Sequence, residues 1–143
     1  RKLRVVLDST VLVSVFLTEE GLAAELFTEC LKKTNTYTAE EILQETRRVL
    51  LEKAHIRRKY AYHDTEVERF IELLREESTI VGPLPDLRVI ERDPKDDMVI
   101  ACAVVAQADY IVSRDHDLLD LEEYQGIQIV TPEAFIQYLR NKT

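Results

Sequence analysis

The chain has 143 residues, 45% of them hydrophobic and 32% charged, with a formal net charge of −8. This composition indicates one soluble globular domain with a sizeable core, and the acidity opposes nonspecific binding of nucleic acid over the whole surface. No apolar run approaches the roughly 20 residues that cross a bilayer. No signal peptide is evident, and the two cysteines, Cys30 and Cys102, lack metal-ligand spacing, so we expect a cytoplasmic protein without membrane contact.

Strand and helix patterns alternate along the chain. Residues 4–8 form a valine-rich run that predicts a buried strand, and Ser9 or Thr10 is expected to cap the helix that follows. Thr38, with Glu41 three positions later, predicts a capping box at the start of another helix. Strands are predicted at 4–8, 35–38, 108–117 and 127–130, with two short pieces within 78–94, and helices at 11–17, 21–33, 39–50, 65–77, 95–107 and from 132 onward. This alternation predicts an α/β sandwich with a mostly parallel sheet.

Carboxylates follow two of the predicted strands. Asp8 ends the first strand and Asp115 ends the strand around "YIVS". Because parallel strands present their carboxyl ends at one sheet edge, we expect these side chains to meet there. Further acids are Asp96 and Asp97, at the start of a buried helix, and Glu45, on the helix after the second strand.

Acids brought together in this way repel one another unless a cation neutralises them. Oxygen ligands without histidine or cysteine suit Mg²⁺ or Mn²⁺, and these ions support phosphodiester hydrolysis. Each acid also has an ordinary alternative. Asp8 can be a plain helix cap, Glu45 a solvated helix residue, and one of Asp96 and Asp97 a partner of the helix dipole alone.

Basic residues concentrate in 47–59 of this acidic chain. Arg47 and Arg48 begin this stretch, which either contacts backbone phosphates or forms a solvated helix face. Arg114, beside Asp115, is a better placed candidate for contact with a phosphate. Apolar side chains on two helices could also form a self-association surface, namely Leu22, Leu26, Phe70 and Leu74.

Four blocks of the sequence resemble successive blocks of the PIN-domain family. They are "VVLDSTVLVSVF", "TAEEILQETRRVL", "DPKDDMVIACAVVAQADYIVSRDHDLL" and "IQIVTPEAF". More narrowly, they resemble the subgroup of toxin components of toxin–antitoxin pairs. The resemblance implies a single PIN-like domain over residues 1–143, folded as a three-layer α/β/α sandwich with a central, mostly parallel sheet.

The resemblance also implies roles for individual residues. The acidic positions of the family fall on Asp8, Glu45, Asp97 and Asp115, with Asp117 as a weaker additional acid. Helical register favours Asp97 over Asp96 as the ligand, although Asp96 could carry the metal instead. Small polar residues that orient the site fall on Thr10 and Ser113.

The function implied by the resemblance is that of an endoribonuclease dependent on Mg²⁺ or Mn²⁺. Its expected partners are an RNA substrate, an antitoxin protein and a second copy in a homodimer. Two alternatives remain: a catalytically silent PIN-like binding module, and a phospho-acceptor domain of the receiver type. The second would need an acid pair near the first strand and a functional lysine near the end, and neither is evident.

Overall fold

The computed structural model describes residues 1–18, 20–90 and 93–142. These residues form eight helices and one six-stranded sheet with the strand order β3-β2-β1-β4-β6-β5. The strands are β1 (Arg4–Leu7), β2 (Asn35–Thr38), β3 (Thr79–Ile80), β4 (Tyr110–Val112), β5 (Glu123–Tyr124) and β6 (Ile127–Val130). The helices are α1 (Ser9–Leu17), α2 (Leu22–Lys33), α3 (Glu40–Glu52), α4 (Ala54–Lys59), α5 (Asp64–Glu77), α6 (Pro94–Val105), α7 (His116–Leu121) and α8 (Pro132–Asn141).

The sheet is parallel except for the edge strand β5, which pairs antiparallel with β6. Strand β1 lies between β2 and β4, and its register with β4 places Leu7 opposite Val112. The residues that follow these two are Asp8 and Ser113, which therefore lie side by side. This register brings the carboxyl ends of β1 and β4 together at one edge of the sheet.

The centre of the sheet is covered on both faces. Val5, Val6 and Leu7 are consecutive and all buried, and consecutive strand residues point to opposite faces. Helix α6 packs against β1, β2 and β4, while α1 packs against α2 and α3. The predicted α/β sandwich with a mostly parallel sheet is confirmed.

The predicted capping box at Thr38 is wrong. Thr38 is the last residue of β2 and pairs with Ile80 of β3, so its backbone belongs to the sheet. Helix α3 begins at Glu40, its N-cap is Ala39, and no side chain caps it. The tertiary pairing of the strand thus overrides a local capping pattern.

Three further elements differ from the predictions. The strand expected at 108–117 ends at Val112, because Asp115 caps the short helix α7 by accepting a hydrogen bond from the backbone N–H of Asp117 (2.8 Å). Helix α4 occupies part of the basic stretch. Of the two pieces expected within 78–94, β3 is found and no second strand occurs within 81–90; residues 91 and 92 lie outside the described ranges.

The predicted self-association surface is wrong in two of its four members. Leu26 and Leu74 are buried in the hydrophobic core, so they are unavailable to a second copy. Leu22 and Phe70 are partly buried against that core. Across the described ranges, none of the helices combines the length and the apolarity that a membrane crossing requires.

Candidate active site

A cavity of about 370 Å³ opens at the sheet edge where β1 and β4 end. Its walls come from both strand ends, from α1, from α3 and from the start of α6. Five carboxylic acids line it, contributed by four separate segments: Asp8, Glu45, Asp93, Asp96 and Asp115. Two cations, Lys95 and Arg114, line it as well. Among the lining residues, acids therefore exceed cations by three.

Asp8 is both a helix cap and a cavity residue. It is only 2% exposed, and its Oδ1 accepts hydrogen bonds from the backbone N–H of Val11 (3.1 Å) and from Thr10 Oγ1 (2.6 Å). Its Oδ2 accepts a hydrogen bond from the hydroxyl of Ser113. Burial raises the pKa of Asp8, these hydrogen bonds oppose that rise, and the charge of Asp115 adds to it.

Thr10 and Ser113 connect Asp8 to the strand end that carries Asp115. The Ser113 hydroxyl accepts a hydrogen bond from the backbone N–H of Asp115 (2.9 Å), and Thr10 Oγ1 accepts one from the backbone N–H of Arg114 (3.1 Å). Each hydroxyl thus donates to the Asp8 carboxylate and accepts from the 114–115 backbone. The two side chains hold the ends of β1 and β4 in one fixed arrangement.

Three of the acids form a compact cluster. Asp93, Asp96 and Asp115 each place one carboxylate oxygen within 4.8 Å of the others. Asp96 is only 5% exposed, and its Oδ2 is buried with no hydrogen-bond partner among the described residues. Burial, together with the charges of Asp115, Asp93, Asp8 and Asp117, raises the pKa of Asp96 to about 7.

The donor set of this cluster fits a divalent cation. A buried carboxylate oxygen without a partner is costly, and neighbouring like charges add to that cost. A hard cation bound to the three carboxylates would give the buried Asp96 carboxylate a partner and neutralise the repulsion. Oxygen-only ligation of this kind suits Mg²⁺ or Mn²⁺.

Asp93 is the site residue that the sequence interpretation missed. It precedes Pro94 at the beginning of α6, where its side chain caps the helix by accepting a hydrogen bond from the backbone N–H of Lys95 (3.0 Å). Such a position indicates a capping residue and nothing more. Its spacing of three from Asp96, which places the two side chains on one side of the helix end, was the available signal.

The expectation that helical register turns Asp97 toward the other acids is wrong. Asp97 Oδ1 accepts hydrogen bonds from the backbone N–H groups of Val89 (2.9 Å) and Ile90 (2.8 Å). It lines a separate cavity beside the loop that precedes α6, whereas Asp96 lines the acidic one. Adjacent helical residues differ by about 100° in direction, so only one of the pair can face the cluster.

Glu45 lines the cavity, but its carboxylate is already paired with two cations. Arg48 donates from Nε to Oε1 and from Nη2 to Oε2, each at 2.9 Å, and Lys95 Nζ lies 3.2 Å from Oε2. Burial alone would raise the pKa of Glu45, but the hydrogen bonds and charges of Arg48 and Lys95 outweigh it, and the pKa is lowered. Glu45 lies outside the three-carboxylate cluster.

The remaining predicted residues divide into those near the cavity and one outside it. Asp117 lies close enough to Asp96 for its charge to raise that residue's pKa, but it is not in the cluster. Arg114 lines the cavity and pairs with Glu133 (3.1 Å). Arg47 instead pairs with Glu68 of α5 through two contacts of 2.7 Å and does not line the cavity.

The solved structures that are similar to the chain in fold include the following two. The crystal structure of PAE2754 from Pyrobaculum aerophilum aligns with a TM-score of 0.65 and 15% identity, covering 98% of this chain and 91% of that one. The PIN domain of RRP44 from T. brucei aligns with a TM-score of 0.53 and 11% identity, covering 99% and 83%. No curated protein sequence is significantly similar to the chain.

The PIN domain family model matches residues 4–117, which include both strand ends, the three-carboxylate cluster and Glu45. PIN domains are generally nucleases and typically use divalent metals. The match extends over most of the chain and agrees with the fold. The chain belongs to the PIN domain family.

Proposed function

We propose that this protein is an endoribonuclease that depends on Mg²⁺ or Mn²⁺ and hydrolyses phosphodiester bonds of RNA. The proposal rests on the surroundings of the Asp96 carboxylate. Asp96 has a buried carboxylate oxygen without a hydrogen-bond partner among the described residues. One of its carboxylate oxygens lies within 4.8 Å of oxygens from Asp93 and Asp115. Such an arrangement costs stability in the metal-free protein, as expected where function requires acids to be held together.

Asp93, Asp96 and Asp115 would hold the ion, with Asp8 beside them at the same cavity. A bound divalent ion supplies polarisation of the phosphodiester and a lowered pKa for a water nucleophile. The chain's own residues supply position and charge. Asp8 is kept in a single orientation by Thr10, Val11 and Ser113, and donors of this kind favour its ionised form.

Arg114 is the cation placed to meet the substrate from the β4 side of the cavity. Its side chain is partly exposed and pairs with Glu133 at the surface. Exposed pairs of this kind contribute little to stability, so the guanidinium can leave Glu133 for a phosphate at small cost. Two parallel N–H donors suit a phosphate oxygen pair.

The test compares the wild-type protein with Asp8→Asn and Asp96→Asn on a single-stranded RNA in the presence of Mn²⁺. Both variants keep the side-chain shape, so we expect folded proteins whose cleavage is lower by about 100-fold or more, since each loses a charge that supports the ion. The control is Asp86→Asn, an exposed loop acid beside Arg88, which should cleave like the wild type.

Undiminished cleavage by purified Asp96→Asn would overturn the assignment of the cluster. Mn²⁺ binding by the wild type without any cleavage of RNA would instead favour the silent binding module. Membership of the PIN family favours the nuclease over the receiver-type alternative. The toxin role, the antitoxin partner and the homodimer stay predictions from the family resemblance.

A further inference from the structure

Lys95 is an unexpected cation in the acidic cavity. It occupies the first turn of α6, where the positive end of the helix dipole disfavours a basic side chain. Its side chain is half exposed and crosses to α3, where Nζ lies 3.2 Å from Glu45 Oε2. It lines the same cavity as the three-carboxylate cluster.

Glu45 does not depend on Lys95 for a partner. Arg48 contacts both carboxylate oxygens of Glu45 at 2.9 Å, in the parallel two-bond geometry that suits this pair. If Lys95 moved away, Glu45 would remain paired. The ammonium of Lys95 has three N–H donors, and its flexible stem can turn toward a ligand in the cavity at little cost.

RNA entering this cavity meets more acid than base. The lining holds five carboxylates, and Lys95 and Arg114 are its two cations. Arg114 lies at the end of β4, whereas Lys95 lies across the cavity next to α3. A polyanion bound in the cavity can therefore meet one cation at the end of β4 and one next to α3, and Lys95 is the one next to α3.

We propose, building on the proposed nuclease function, that Lys95 binds a backbone phosphate of the RNA next to the cleaved bond. In the free protein the Lys95 ammonium is paired with the carboxylate of Glu45, so Glu45 and the phosphate compete for Lys95. Glu45 therefore opposes substrate binding, because it holds the Lys95 ammonium until a phosphate displaces it.

The experiment is a double-mutant cycle on the steady-state cleavage of a short single-stranded RNA at saturating Mn²⁺ and several salt concentrations. For Lys95→Met we expect KM to rise about 10-fold, as for the loss of one charged hydrogen bond, with a smaller change in kcat. The slope of log KM against log salt should fall by about 0.7, the value for one phosphate contact on a single strand. Lys95→Arg keeps the charge and should stay within about 3-fold of the wild-type KM.

Glu45→Gln tests the competition. It should lower KM about 2-fold or more when Lys95 is present, because the ammonium is released for the phosphate. In the Lys95→Met background it should leave KM unchanged. The matched control is the pair of Lys33 and Glu29 on α2, at 3.3 Å, whose Lys33→Met and Glu29→Gln variants make the same charge changes away from the cavity lining. These should move neither KM nor its salt slope.

Three outcomes would overturn the proposal. An unchanged KM and salt slope in Lys95→Met would contradict the proposed contact between Lys95 and a phosphate. An equal effect of Glu45→Gln on KM in both backgrounds would contradict the proposed competition. A wild-type protein that cleaves no RNA with Mn²⁺ would overturn the proposed nuclease function and this inference with it. In the first two outcomes the wild type still cleaves RNA, so failure of the inference and failure of the function are distinguishable.

Discussion

The hydroxyl of Ser113 donates a hydrogen bond to the carboxylate of Asp8, although the two residues are 105 positions apart in the sequence. The register of β1 with β4 makes them neighbours, since Leu7 lies opposite Val112. The same hydroxyl accepts a hydrogen bond from the backbone N–H of Asp115 at 2.9 Å. One fully buried side chain therefore orients acids of both strand ends.

Replacing Ser113 by alanine should lower both stability and metal affinity. Asp8 Oδ2 and the N–H of Asp115 would lose their shared partner, and a buried polar group left unpaired costs about 1–3 kcal/mol. Loss of a group that orients metal ligands typically lowers metal affinity about 10–100-fold. Urea denaturation without metal and calorimetric titration with Mn²⁺ measure the two effects. Thr28→Val, which removes a hydrogen bond to Ala24 O within α2, is the control, and an equal loss of Mn²⁺ affinity in both variants would contradict the orienting role.

Asp96 should make the metal-free protein less stable as the pH rises. Its pKa is raised from 3.8 to about 7 in the folded state, so between these values the folded protein binds a proton that the unfolded chain has released. The stability associated with that proton is complete below pH about 4 and is lost as the pH rises through 7. Asp96→Asn should therefore exceed the wild type in free energy of unfolding at pH 8, by on the order of 4 kcal/mol, and match it near pH 4.

Urea denaturation in EDTA at pH 4.5 and pH 8 measures this difference. A wild-type protein and an Asp96→Asn variant whose stabilities change in parallel between the two pH values would show that Asp96 has an ordinary pKa. Addition of Mn²⁺ at pH 8 should stabilise the wild type more than the variant, because ligand binding to the folded state adds to the free energy of unfolding.

We expect Asp97 to affect stability and Mn²⁺ affinity through the loop whose backbone it binds. Alanine at this position would leave the N–H groups of Val89 and Ile90 without their acceptor, at a cost of about 1–3 kcal/mol. Three residues after Ile90 the chain reaches Asp93, so we expect Mn²⁺ affinity to fall about 10-fold. Asp97→Asn keeps an oxygen acceptor and should retain most of the affinity. If Asp97 were itself a ligand, the asparagine and alanine variants would lose affinity alike in the calorimetric titration.

We expect substitutions of Arg114 and Arg47 to differ in their effect on the KM for RNA. Arg114 lines the cavity and Arg47 is paired with Glu68 away from it. Arg114→Gln should raise the KM for single-stranded RNA about 5-fold or more through loss of a phosphate contact, while Arg47→Gln should stay within about 2-fold. An equal rise in both variants would indicate that the basic stretch binds RNA as a whole.

The sequence was most informative where long-range geometry follows from simple rules. Parallel strands bring their carboxyl ends to one edge, and the structure places Asp8 and Asp115 at a single cavity on that basis. The choice between Asp96 and Asp97 depended on the first residue of α6, and an error of one position rotates the side chain by about 100°. The prediction of a capping box at Thr38 is wrong for a different reason, because the pairing of Thr38 with β3 is a tertiary contact that a local sequence pattern does not contain.

The acids of the cavity come from the end of β1, from α3, from the start of α6 and from the end of β4. Their sequence positions extend from 8 to 115, so no contiguous fragment shorter than about three quarters of the chain carries them all. Partial opening of any one of these segments would disperse the charges and abolish tight ion binding. Mn²⁺ should therefore protect amides throughout the central sheet from hydrogen exchange together, and titration with the ion would report whether the whole polypeptide has reached its native state.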